Sequence, residues 1–280
     1  MKQHPIAIFD SGLGGLSVVR ELQRLLPGED MVYFGDTARV PYGIKSRRTV
    51  AQFALEDARF LLQFEPKLIV AACNTASALA MDALEAELPV PVVGVVKPGA
   101  MAAVRLAGST PVAVIGTEAT ISSSSYFKAI RALAPQLEVI TQACPLFVPL
   151  VEEGRGCDDA IVKLVVETYL APLRAAGVGV IVLGCTHYPL LREAIAACLG
   201  PAVQIVESGR ETALAVRDVL RRDDCLCAER RSGRLRCHVS DNPARFGRIG
   251  SRFLGHDIEH VELVEPERYI ASAIAGHEGV

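Results

Sequence analysis

The run Val180-Ile181-Val182-Leu183-Gly184 is apolar at every position and stops on Cys185-Thr186-His187-Tyr188-Pro189. A strand that shows one face to water alternates polar and apolar residues. A strand apolar throughout has to be covered on both faces, which demands a mostly parallel sheet with helices on either side. Leu68 to Ala72, followed by Cys73-Asn74-Thr75, has the same form. So do Ile6 to Phe9 before Asp10-Ser11, Met31 to Phe34 before Gly35-Asp36-Thr37, and Val112 to Ile115 before Gly116-Thr117. Between these runs the apolar period changes to that of a helix. Val18, Val19, Leu22, Leu25 and Leu26 share one face and end at Pro27-Gly28, and further helices are predicted from about Ser46 to Phe64 and from the Cys73 turn to about Leu88.

Val92 to Val96 reads as a fourth strand closed by Lys97-Pro98-Gly99, with a helix from about Ala100 to Ala107 stopped by Gly108. Near residue 110 the pattern restarts. Val112 to Ile115, a Ser run with a helix through Ala134, a strand over Leu137 to Gln142, a loop over Pro145 to Glu153, a long helix over Asp158 to Ala176 and a strand over Val178 to Leu183 follow in turn. Beyond Val203 the reading is a strand to Val206, a helix over Glu211 to Leu220, the charge-dense Asp223 to Arg236, and then Leu235 to Ser240, helix-like Pro243 to Leu254 and Glu259 to Val264. The alternation predicts an α/β fold of doubly wound parallel sheets. The restart predicts two similar halves, residues 98–207 forming the second. The tail, about 208–280, lacks a core of its own and is expected to rejoin 1–97.

Composition narrows the function. Half the residues are hydrophobic, mean hydropathy is +0.30, net charge is −3 and the pI is about 6.1. That is a chain with a large core and no global field for nucleic acid or an anionic membrane, and with no Trp it has no obvious stacking platform. No apolar run approaches the roughly 20 residues of a membrane span, and Ile6 to Phe9 is too short for a signal segment. A cytoplasmic location is expected, with the eight cysteines reduced.

In open α/β sheets ligands bind beyond the carboxyl ends of the strands, where helix N-termini point unpaired N–H groups and a positive dipole end. Asp10-Ser11, Asp36, Cys73-Asn74-Thr75, Thr117 with Thr120, and Cys185-Thr186-His187 all fall at that edge. Any one of them could be a helix cap. Five together point to a small anionic ligand. A buried cysteine is ordinarily a small hydrophobe, a reading that suits Cys144, Cys157 and Cys198. Cys73 and Cys185 share a context, apolar strand then thiol then hydroxyl, that suits acid/base work at a helix N-terminus. Two such thiols facing each other across a ligand would invert a stereocentre: one takes a proton from carbon and the other returns a proton to the opposite face. Asp10 and His187 are candidates to orient or activate them.

These residues resemble those of the glutamate racemases, in the cofactor-independent aspartate/glutamate racemase family. The resemblance rests on Phe9-Asp10-Ser11-Gly12-Leu13-Gly14-Gly15-Leu16-Ser17-Val18, Tyr33-Phe34-Gly35-Asp36 with Pro41-Tyr42-Gly43, Cys73-Asn74-Thr75-Ala76-Ser77, Gly116-Thr117-Glu118-Ala119-Thr120 and Gly184-Cys185-Thr186-His187-Tyr188-Pro189. They occur in family order over roughly the first 190 residues. The resemblance implies two flavodoxin-like domains with the active site between them, no cofactor, no metal and a homodimer. It implies that Cys73 and Cys185 are the paired thiols, with Asp10 assisting Cys73 while Glu152 and His187 assist Cys185. Asp10, Ser11, Tyr42, Gly43, Asn74, Thr75, Thr117, Thr186 and His187 would line the substrate, and the D-glutamate made would feed peptidoglycan synthesis. The resemblance implies an acidic residue where Lys97 stands, and Lys97 is expected to tune a loop or an interface.

Other readings compete. Gly12-Leu13-Gly14-Gly15 after a strand resembles a dinucleotide fingerprint, but the third glycine position is Ser17 and Asp10 would repel a pyrophosphate. Cys225, Cys227 and Cys237-His238 lack the usual zinc spacing. A small-anion-binding regulatory protein could use the same scaffold without needing either thiol. Aspartate racemase and related two-cysteine enzymes would share the site and differ in its depth.

Overall fold

The computed structural model describes residues 2–227 and 231–274, with the side chains of 271–274 left out. The chain begins β1 (Ile6–Asp10), α1 (Leu16–Leu25), β2 (Met31–Gly35), α2 (Arg47–Leu62), β3 (Leu68–Ala71), α3 (Asn74–Leu79), α4 (Met81–Glu87) and β4 (Val92–Gly94). It continues α5 (Val96–Ala107), β5 (Val112–Gly116), α6 (Glu118–Ser122), α7 (Ser125–Leu133), β6 (Val139–Ala143), α8 (Phe147–Glu152), α9 (Ala160–Ala175), β7 (Val180–Gly184), α10 (Arg192–Leu199) and β8 (Gln204–Glu207). It ends α11 (Ser208–Arg222), β9 (Leu235–Val239), α12 (Pro243–Leu254), β10 (Val261–Leu263) and α13 (Pro266–Ile274).

Two parallel sheets result, one of six strands in the order β10-β9-β2-β1-β3-β4 and one of four in the order β6-β5-β7-β8. Both contain the doubly wound order in which the second strand lies to one side of the first and the later strands to the other. This is the pair of flavodoxin-like α/β units the sequence predicts. Their switch points, where winding reverses, lie between β1 and β3 and between β5 and β7. The tail returns to the first sheet, with β9 pairing alongside β2.

The uniformly apolar strands are buried on both faces, as their composition demands. In β1, Ile6 and Ile8 join one hydrophobic cluster while Ala7 and Phe9 join the other. At about 25 cal/mol per Å² of apolar surface removed from water, this two-sided burial is what the helices on either side contribute.

Three local expectations fail, two of them through proline. The segment Pro145 to Glu153 is not a loop, since Phe147–Glu152 forms α8, with Phe147 and Val151 buried one turn apart. Pro149 lies in its first turn, where the missing N–H would be unpaired anyway. For the same reason Pro98 opens a helix rather than closing a strand: β4 ends at Gly94 and α5 starts at Val96. Gly108, at φ +56°, ends α5 as expected. The helix expected to run to Leu88 is broken at Ala80 into α3 and α4.

Asp223 to Arg236 has residues 228–230 outside the described residues. Its first part is tied to the opposite end of the first sheet from the strand carboxyl ends. There the buried Lys67 ammonium pairs with Glu29 and donates to the Cys225 carbonyl, while Glu29 accepts from the Cys227 N–H at 2.8 Å. Lys97 is exposed on α5, 3.7 Å from Glu85.

Candidate active site

The first half of the site is built at the β1/β3 switch point. After β1 the chain must turn at once, and Asp10 closes that turn: its Oδ2 accepts the Gly12 N–H at 2.9 Å, while Tyr33 donates its hydroxyl to the Gly12 carbonyl at 2.9 Å. Gly15 has to be glycine, because a Cβ there would stand 2.6 Å from the Asp10 Cβ and 3.1 Å from that of Ala72. Held this way, Ser11 faces the end of β3, where the Cys73 thiol donates to its Oγ at 3.5 Å. Cys73 is the N-cap of α3 and is 6% exposed. Burial, then the Asp10 charge, push its thiol up to about 12, against the pull of Ser11 and the Ala76 N–H. Burial raises Asp10 as well, opposed first by the positive charge of His187.

The second half lies at the β5/β7 switch point. Cys185 follows β7, also 6% exposed, with its Sγ 3.9 Å from His187 Nδ1. The other imidazole nitrogen meets Glu152 Oε1 at 3.0 Å, and Glu152 Oε2 accepts from Arg245 at 3.3 Å. Burial disfavours the imidazolium, but hydrogen bonds to Cys185 and Glu152 and their charges prevail and raise His187 to about 10. Glu152 is held below its ordinary value despite burial, by His187 and Arg245.

The halves touch. Ser17 donates to the Thr186 carbonyl at 3.1 Å, and the Thr186 hydroxyl donates to Asp10 Oδ1 at 3.4 Å. A Cβ on Gly14 would run into the Thr186 hydroxyl and the His187 ring. Cys185 is near enough to Cys73 to add to the rise of its thiol. Across the same seam the Thr75 hydroxyl meets those of Thr117 and Thr120 at 3.0 and 3.1 Å. Thr117 also caps α6, accepting from the Thr120 N–H.

Two of the expected lining residues have their side chains engaged elsewhere. The buried Tyr42 hydroxyl donates to Asp36 and meets Asp57, and Arg39 ion-pairs with both carboxylates, so Tyr42 can offer a ligand only its backbone. The Asn74 carbonyl oxygen accepts from Tyr126 at 2.6 Å and its amide donates to Ser208 at 3.5 Å, which makes it a brace between the sheets. Gly43 packs on Thr117 and lines a cavity of about 350 Å³ together with Val40, Val148, Glu152 and Arg245. An adjoining cavity of about 280 Å³ is lined by Gly12, Thr37, Glu152, Asn242 and Arg245. A larger one, about 540 Å³, lies away from both thiols between α1, α5 and α11.

Sequence reasoning missed Arg245, Tyr126 and Ser208. Ser208 directly follows β8 just as Cys185 follows β7, so its position was readable; nothing local marks the other two. Among the described residues no group of three or more His, Cys, Asp or Glu could hold a metal ion, and no helix is long and apolar enough to cross a membrane.

A family model described as Asp/Glu/Hydantoin racemase matches residues 10–216. A glutamate racemase of Geobacter metallireducens is 52% identical over 262 residues, covering 94% of this chain and 97% of its own. Another, from Neisseria meningitidis serogroup B, is 42% identical, with the same 94% and 97% covered. Among solved structures, a glutamate racemase isoform of Bacillus anthracis superposes with a TM-score of 0.90 at 39% identity, over 95% of this chain and 99% of that one. The Francisella tularensis glutamate racemase in complex with D-glutamate gives 0.88 at 38% identity, over 95% and 98%.

Proposed function

Since the chain belongs to the glutamate racemases of the Asp/Glu/hydantoin racemase family, and is an amino-acid racemase, we propose that it interconverts L- and D-glutamate by proton transfer between two thiols. The observation that carries this reading is the pairing of two buried thiols at equivalent switch points, each with its own acid/base helper. One thiolate takes the Cα proton and the bonding pair stays on carbon. The opposite thiol then delivers its proton to the other face, and the two sulfurs end with their protonation exchanged. Asp10 and Ser11 serve Cys73, and His187, held by Glu152, serves Cys185. The N–H groups at the starts of α3 and α6, with the hydroxyls of Thr75, Thr117 and Thr186, are suited to carboxylates. Ser11, Asn74, Tyr42 and Gly43 complete the walls, the last three chiefly through backbone. None of these steps draws on a cofactor.

The reading carries domain limits of 1–97 with about 208–280 and 98–207, of which residues 1, 228–230 and 275–280 lie outside the described residues. It also carries a homodimer, a cytoplasmic location and a supply of D-glutamate to peptidoglycan. Growth of a D-glutamate auxotroph on this gene tests the last of these, and sedimentation tests the dimer.

Circular dichroism on L-glutamate with no cofactor added is the decisive experiment. Signal should decay to zero with solvent deuterium entering at Cα, and aspartate should react some 10- to 200-fold more slowly, the range one methylene allows. Neither racemisation nor exchange with glutamate would sink the proposal, and equal or faster turnover of aspartate would reassign the substrate.

A further inference from the structure

Helix α12 lies beyond residues 10–216, the span of the family match. Three of its side chains nevertheless reach the Cys185 half of the site. Arg245 donates to Glu152 Oε2 at 3.3 Å, leaving Oε1 for His187. Arg252 donates to the Val151 carbonyl at 3.2 Å. The Phe253 ring meets His187 edge-on, with centroids 5.2 Å apart. Arg245 and Arg252 are separated by two helical turns and so leave α12 on one face. That face grips the last turn of α8, which connects strands of the second sheet, from a helix packed with the first.

Electrostatics explain why the grip is needed. Glu152 ends a six-residue helix, and a helix C-terminus carries partial negative charge and unpaired carbonyls. A carboxylate is unfavourable there without a cation, and His187 satisfies only one of its oxygens. Arg245 meets the other oxygen, and Arg252 adds a charged donor to the Val151 carbonyl, which otherwise accepts only backbone N–H groups at the helix end. At the other thiol, no α12 side chain is hydrogen-bonded to Cys73, Ser11 or Asp10 among the described residues.

We infer that Arg245, backed by Arg252, is a positioning residue for the Cys185 half alone: it fixes Glu152 so that the carboxylate meets His187 and His187 meets the thiol. This rests on the two-thiol reading above.

A one-sided defect has a particular kinetic form. The two enantiomers have equal free energy, so kcat/KM must stay equal in both directions whatever is mutated. The side of the defect appears instead in which proton transfer limits the rate. With Arg245→Gln, kcat/KM for racemisation should fall about ten- to hundredfold, the cost of a misplaced catalytic group. With α-deuterated substrates, the isotope effect should rise for the enantiomer that Cys185 deprotonates, because removal of that proton becomes limiting. It should fall for the other enantiomer, whose proton is still removed rapidly at Cys73. Residual activity in Cys185→Ser should show the same polarity and in Cys73→Ser the reverse, and Arg245→Lys should recover part of the rate. The Arg245 side chain is 42% exposed, so the melting temperature of the Gln variant should stay near that of the parent.

If the unmodified protein does not racemise glutamate, the functional reading fails and this positioning role with it. If it does racemise glutamate, and Arg245→Gln leaves both isotope effects unchanged or moves them in the same direction, only the positioning role is overturned.

Discussion

Glu152→Gln isolates one charge. The amide keeps the shape of the side chain and an oxygen for the imidazole, but not the anion. His187 is raised to about 10 because Cys185 and Glu152, through hydrogen bonds and charge, outweigh burial. A hydrogen bond to a charged partner is worth about 1.5–3 kcal/mol and one between neutral groups about 0.5–1.5. The substitution should therefore cost the imidazolium about 1–1.5 kcal/mol. At about 1.4 kcal/mol per pKa unit, His187 would titrate about one unit lower, near 9. The lower end of that range applies, since Glu152 is 22% exposed and Arg245 already answers part of its charge. Carbon-13 labelling of the histidine rings, with His187→Asn for assignment, follows the titration by NMR. The alkaline limb of kcat/KM should move with it if the cation supports the thiolate. An imidazole that titrates at the same pH in both proteins, or higher in the variant, would refute the claim that the Glu152 charge holds it.

Two further outcomes follow from the same geometry. The folded value of His187 lies above its ordinary 6.5, so its pairing stabilises the fold fully below pH 6.5 and the contribution disappears as pH rises through about 10. The gap in melting temperature between the parent and His187→Asn should narrow across that window; a gap that widens with pH contradicts the assignment. Gly14→Ala directs a methyl at the Thr186 hydroxyl and the His187 ring, and activity should fall about a hundredfold with the secondary structure unchanged by circular dichroism. Activity within twofold of the parent would mean the two halves are not held as closely as described.

The parts of this fold legible in the sequence are those that burial dictates. Ile6 to Phe9 and Val180 to Leu183 read as two-faced strands because they are short, rich in β-branched residues and bounded by breaks, and the polar residues that stop them identify the candidate site edge. Proline was misread at Pro98 and Pro149 for a common reason. Its effect depends on whether it falls in a first turn, and that is decided by where the preceding strand stops rather than by its neighbours in sequence. The site divides in the same way. Asp10 ends its strand, and Cys73, Cys185 and His187 lie within three residues of theirs, so their place at the candidate site is readable from the strand ends. Tyr42 and Asn74 stand at the edge too, but their orientation depends on partners far along the chain, Asp57 for one and Tyr126 for the other. Arg245 lies on a helix of ordinary amphipathic pattern. Its role comes from packing across the seam, which no local period encodes.

The two halves repeat a scaffold without repeating its helpers. On the Cys73 side the nearest groups come from the first unit: the thiol from the end of β3, its hydroxyl and carboxyl neighbours from the end of β1. On the Cys185 side the helper is a cation, assembled from His187 after β7, Glu152 at the end of α8 and Arg245 from the returning tail. The difference has a use in the two-thiol reaction proposed above, which cannot start with both sulfurs in the same state. Cys73, pushed up to about 12 by burial and a neighbouring anion, keeps its proton at rest, while the imidazolium stands beside the other sulfur, and each turnover exchanges the two. A strictly symmetric pair would leave the choice of donor to chance and spend part of its population doubly protonated. Unequal helpers on equal turns bias the resting pair toward one protonation state, and the sequence that returns to the first sheet after residue 207 supplies the last of them.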